Sequence, residues 1–121
     1  MQPLIHQAAV AILEVDPYRA KISLGDVAQL RSEPDGVVTV YVERKSRLPF
    51  GLGKTSYLRV GTLGPKASAF IRPALDKRVP LRVRVVEVEI AHLSPKAENS
   101  ISISVWGELT GNAAAGLFGT H

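Results

Sequence analysis

The sequence predicts a mainly β protein: one small barrel of about six strands with one or two short helices. Three observations carry that expectation. Apolar residues recur at every second position through much of the chain, the period of a strand with one buried face. That alternation changes parity once inside a strand, between Val85 and Val86, which is what a β-bulge produces, and bulges let strands bend around a small barrel. Only one stretch of the 121 residues has a clear helical period, and that length suits a single core.

The elements follow in chain order. Residues Pro3 to Val15 are Ala-rich enough for a helix, yet end in the β-like Ile12-Leu13-Glu14-Val15; strand is preferred for the later half. Ala28 to Glu33 reads as a strand leading into a Pro34-Asp35-Gly36 turn. Val38, Val40 and Val42 then share one side of a strand, with Thr39, Tyr41 and Glu43 on the other. Arg47 to Thr55 is a glycine-bearing loop, and Ser56 to Val60 looks extended. Gly64-Pro65 opens the helical stretch, with Ala67, Phe70, Ile71, Ala74 and Leu75 at i, i+3, i+4, i+7 and i+8. Pro73 inside it predicts a break: a short helix, or two short turns. Phe70 and Ile71 are expected to plug the barrel. Leu81, Val83 and Val85 alternate with Arg82 and Arg84; after the parity change, Val86, Val88 and Ile90 alternate with Glu87 and Glu89. Ile101, Ile103 and Val105 form the inner side of a last strand, with Ser102, Ser104 and Trp106 facing the opposite way. Residues 1–110 are expected to form the domain. Residues 111–121 lack a core pattern and read as a flexible tail, with Leu117 and Phe118 as its only docking candidates.

Composition excludes several classes. Apolar residues at 45% and charged residues at 21% are ordinary globular usage, which argues against a disordered chain. Without cysteine there are no disulfides, no thiolate catalysis and no cysteine-ligated zinc. Ala8 to Leu13 is far too short to span a bilayer, and no basic, apolar and cleavage regions line up as a leader, so a cytoplasmic protein away from membranes is expected.

The charge is strongly segregated. Residues 1–43 carry three bases against six acids, and residues 85–121 one base against four acids. Between them, residues 44–84 carry eleven bases and a single acid, Asp76, a net +10. Such a block suits a polyanion, whose binding would be salt-sensitive. The competing account is that the bases lie on several strands, point several ways and pair with the acidic flanks.

No grouping for catalysis is legible. Gly53-Lys54-Thr55 lacks the earlier glycine of a phosphate loop, since Leu48 stands there, and extended residues follow it. His6, His92 and His121 have no metal spacing, and Glu87 with Glu89 reads as a solvated edge before a cation site. The expectation is a non-enzymatic protein with no cofactor and no metal. Bases with interleaved aromatics remain: Arg44, Lys45, Arg47, Lys54 and Arg59 to hold phosphates, and Phe50 and Tyr57 to stack on bases. Tyr57 and Tyr41 have a second reading, as packed barrel residues with satisfied hydroxyls.

Three blocks resemble the HIRAN domain, a small module found in some DNA translocases and as stand-alone bacterial proteins. Tyr18, followed by Asp26-Val27-Ala28-Gln29-Leu30-Arg31-Ser32-Glu33-Pro34-Asp35, is similar to the family's tyrosine, strand and Arg-Asp/Glu-Pro turn. Val60-Gly61-Thr62-Leu63-Gly64-Pro65-Lys66-Ala67, running on to Asp76, is similar to its Val-Gly-x-Leu strand end and helix. Ile101 to Gly107 is similar to a closing strand that ends in Trp-Gly. The resemblance implies an OB-like barrel that binds single-stranded DNA, in some members by its free 3′ end. Of the family's end-binding residues Tyr18 carries over; its Asn-Pro-Tyr-Asp run is replaced here by Asp35-Gly36-Val37-Val38, and its frequent histidine by Thr62. The expected partner is therefore single-stranded or frayed nucleic acid, DNA favoured, held by the basic loop and barrel face. The alternative is a protein-interaction or assembly module that has lost the DNA-end pocket and docks a partner through an edge strand or the tail.

Overall fold

The computed structural model describes residues 2–45, 55–91, 93 and 98–107. Six strands and one helix follow one another: β1 (Gln2–Leu13), β2 (Val27–Ser32), β3 (Val38–Lys45), β4 (Thr55–Leu63), α1 (Pro65–Asp76), β5 (Leu81–Glu89) and β6 (Ser100–Gly107). All strand pairs are antiparallel, and the sheet closes in the order β1-β4-β3-β2-β5-β6. This is an OB-like order with one strand added. A three-stranded meander (β2-β3-β4), a helix and a hairpin (β5-β6) follow one another, and β2 pairs with β5 as the first and fourth strands of an OB barrel do. The extra strand, β1, lies between β4 and β6. No helix among the described residues is long and apolar enough to cross a membrane.

The inward sides of the strands fill the ring. Val38, Val40, Val42, Ile101, Ile103 and Val105 are fully buried, and Val83 and Val85 nearly so. The β-branched side chains crowding the interior are stiff and suit a pleated surface, which is why these runs are strands. The expected bulge is present: the β5–β6 register slips between Val85 and Glu87, leaving Val86 on the outside. The Pro34-Asp35-Gly36 turn also forms. Gly36 takes a positive φ of 89°, and the Asp35 carboxylate accepts the Val37 N–H at 3.0 Å.

Four expectations need correction. β1 is a strand from Gln2 onward, not only in its later half. Residues 2–9 pair with β6 and residues 10–13 with β4, so pairing partners override the helix preference of its alanines. α1 runs unbroken through Pro73. The carbonyl that Pro73 leaves without a helical donor belongs to Ala69, on the exposed side, where water can reach it, while Ile71 and Ala74 are fully buried and hold the turn. Ile71 plugs the barrel as expected, but Phe70 is only half-buried and lines an open groove between α1 and the first half of β1. Ser102 and Ser104 face outward yet are buried, because short side chains lie below the longer ones beside them, Glu87 and Arg84 across the β5 pairing. The expected loop around residues 47–54 and the tail at 111–121 lie outside the described residues.

Closing the ring depends on Gly61. It pairs with Leu13 just past the register slip of β1 between Val10 and Ile12, and a Cβ on residue 61 would stand 2.1 Å from the Ile12 carbonyl oxygen and 2.6 Å from a Val10 methyl carbon. Its φ of 155° adds strain for any side chain. We expect Gly61→Ala to destabilise the protein by about 3 kcal/mol, because backbone cannot yield as a side chain would. That corresponds to a fall in Tm of roughly 10 °C or more in a thermal melt.

Candidate nucleic-acid interface

The outward positions of β2, β3 and β4 hold Arg31, Tyr41, Tyr57 and Arg59. Tyr41 on β3 pairs with Gln29 on β2 and with Arg59 on β4, and Glu43 pairs with Tyr57. The β3–β4 register slips between Val40 and Tyr41, so β4 carries one extra residue there. Val60 is buried at that slip while Arg59 and Tyr57 stay on the outer side. Arg31, two residues after Gln29 on the same face, lies over the Tyr41 ring with its guanidinium carbon 4.6 Å from the ring centre. Tyr57 is 44% exposed. Arg59 donates from Nε to the Glu14 carboxylate at 2.9 Å, and this contact raises the guanidinium's pKa further, so Arg59 is a permanent cation. Both partners of that pair are well exposed, which makes it weak and displaceable by another anion.

The candidate residues from the sequence are thus divided. Tyr57 and Arg59 come together on one face, joined by Tyr41 and by Arg31, which the sequence reading had not singled out. Arg44 lies elsewhere. It shares the inward parity of Val42 but sits at the barrel mouth, where its guanidinium donates to the carbonyls of Ala20 and Lys21 and lies 3.9 Å from Asp26. It therefore anchors the β1–β2 connection. Tyr18 is in that same connection and 63% exposed, with its N–H bonded to the Asp16 carboxylate at 2.9 Å. Lys45 ends β3 opposite Thr55. Arg47, Phe50 and Lys54 lie outside the described residues.

Among the described residues, the basic block does not converge on one channel. Arg59 is on β4, Arg72 on α1, Lys77 and Arg78 follow that helix, and Arg82 and Arg84 project from β5. Closure of the sheet turns successive strands to different sides, so a contiguous block in sequence becomes a distributed surface. The carboxylates of the flanks pair with only part of it: among the described residues, Glu14 meets Arg59 and Asp26 meets Arg44. Glu87 of the Glu87–Glu89 pair accepts a hydrogen bond from Gln7 at 3.0 Å, and the described residues hold no cluster of metal-ligating side chains.

A second feature adjoins this face. The Pro34–Gly36 turn, the Thr62–Gly64 strand end and the helix border a cleft lined by Asp35, Gly36, Thr62, Ser68 and Arg72. Two of the blocks that carry the family resemblance therefore meet at one place. The Arg72 Nε there is buried without a hydrogen-bond partner, an orphan donor that an anion or hydroxyl would satisfy. The sequence signal for it was weak, since Arg72 is one of two bases in an amphipathic helix. As for docking through a strand edge, each described strand pairs with two neighbours, so none is an outer strand of an open sheet.

Because Arg44 ties the β1–β2 connection to β3 at the barrel mouth, Arg44→Ala should cost about 1–3 kcal/mol, read as a lower urea midpoint at unchanged m-value. The same variant should leave the salt dependence of any oligonucleotide binding as in the parent. Comparison of the chain with protein-family models, with curated proteins and with solved structures finds no match.

Proposed function

We propose that this protein is a non-enzymatic, HIRAN-like OB barrel that binds single-stranded nucleic acid, DNA favoured, on the outer face of β2, β3 and β4. The observation that carries the reading is the side-by-side placement of Tyr41 and Arg59, with Arg31 over one face of the Tyr41 ring and Tyr57 beyond. An unpaired base offers a flat ring to stack on Tyr41 or Tyr57, and the phosphates on either side of it are within the reach of Arg31 and Arg59. In OB barrels the equivalent strands, the second and third, form the oligonucleotide-binding face. Duplex nucleic acid fits this arrangement poorly, because its bases are already stacked on one another and present no open ring.

Glu14 gives the site a built-in competitor. In the unbound protein its carboxylate occupies Arg59, and a phosphate arriving there takes its place. The cleft lined by Asp35, Thr62, Ser68 and Arg72 offers the family's habit of holding a strand end a place on this chain, with the Arg72 side chain in its wall.

Fluorescence anisotropy with a labelled oligo-dT, at low and moderate salt, tests the reading. Binding should weaken as salt rises, with a slope that falls by about 0.7 when Arg59 is replaced by Ala. Tyr57→Ala should cost about 1–3 kcal/mol of affinity. Absence of binding at low salt, or binding indifferent to salt, overturns the proposal. Removing the competitor should act in the opposite direction: Glu14→Gln should tighten oligo-dT binding by about threefold. An oligonucleotide blocked at its 3′ end by a phosphate, set against one with a free 3′ hydroxyl, reports whether the cleft takes part.

A further inference from the structure

We infer that the bound strand does not stop at β3 but continues around the sheet to a second stacking point, Trp106 on β6, with Arg82 of β5 beside it to hold a phosphate. This rests on the proposed nucleic-acid function and extends the site to residues outside it. The argument is one of register. Trp106 pairs with Arg82, and Tyr41 pairs with both Gln29 and Arg59. Between these pairs β2 and β5 are joined through Val27–Arg84 and Ala28–Val83, and one residue further along each strand stand Gln29 and Arg82. Trp106 with Arg82, and Gln29 with Tyr41 and Arg59, are thus two outward-facing groups on either side of the place where β2 and β5 part. Together the two groups hold two aromatic rings and two guanidiniums, with Glu14 as the acid paired to Arg59.

The neighbouring pairs do not look like this. Arg84 pairs with Ser104 and Val27, and Glu43 with Tyr57, so an acid stands among them. Trp106 is also an unusual residue to leave 37% exposed, because an open indole is costly in water unless something covers it. Between the two halves, β2 and β5 part over a small cleft lined by Gln29, Leu30, Leu81 and Val83. The sheet is a closed ring in which β3 and β6 stand opposite each other, so a strand that joins Tyr41 to Trp106 wraps about half of the ring over β2 and β5. A strand of several nucleotides spans that, within the range of about 4–16 that single OB barrels cover.

The chain has one tryptophan, so its fluorescence reports this position alone. The experiment titrates the full-length protein with labelled oligo-dT of about 12 nucleotides, following oligonucleotide anisotropy and tryptophan emission together. Emission should be quenched with the same midpoint as the anisotropy change. Arg82→Gln should weaken binding about five- to tenfold at low salt. Lys66→Gln, which removes one charge at the start of α1 beside β1, should change binding by less than about twofold. If anisotropy reports binding while emission stays constant and Arg82→Gln binds like the parent, the strand ends on the β3 side and the inference is overturned, with the proposed function intact. If anisotropy reports no binding at low salt, the nucleic-acid reading falls and takes this inference with it.

Discussion

β1 has to serve two sheet neighbours, and the ring exists only because it can. Its first eight described residues pair with β6 and its last four with β4, with register slips marking the bends. Beyond the crossover, at the register slip, the β1 backbone passes so close to β4 that no side chain fits at residue 61. The missing Cβ of Gly61 is what lets the two backbones meet, and without that contact β4 and β6 would leave two long edges with no partner between them. Closure then fixes everything else: which side of each strand is buried, where α1 can plug the end, and which residues are left facing solvent.

The outer face is a consequence of that parity. Valine and isoleucine fill the interior through backbone alternation, so the intervening residues are forced outward whatever their chemistry. On β3 and β4 these are Tyr41, Arg59 and Tyr57, and the extra residue at Val60 keeps Arg59 on the outside while the strand bends. On β2 it is Arg31, which reaches over Tyr41. No two of Arg31, Tyr41 and Arg59 are close in sequence. They meet because antiparallel pairing brings three strands side by side in a single register.

Two other arginines show how position decides what a base does. Arg44 differs from Arg59 only in facing inward, yet that places its guanidinium at the barrel mouth, where backbone carbonyls of the β1–β2 connection take its hydrogen bonds. There it is a structural tie. Arg72 is on the helix, and its Nε is buried without a partner beside a cleft formed by two loops. Burial raises what an arginine gains from an anion, since water no longer competes for it. A net charge summed over the block treats these as equivalent, although their surroundings set them apart.

Much of the architecture was legible in the chain. The two-residue period of Val38–Val42 and Ile101–Val105, the parity change at Val85–Val86 and the turn at Pro34–Gly36 are local signals, and each is set by backbone geometry within a few residues. The shared outward face of Tyr57 and Arg59 was legible for the same reason, since alternate positions of one strand point the same way. The continuous helix across Pro73 and the early start of β1 were not, because packing and pairing with distant segments outweigh local preference there. Nor was the fate of the basic block: the sequence determined how many positive side chains the segment has, whereas the direction each one takes was decided by the closing of the sheet, which turns neighbouring strands to different sides of the ring.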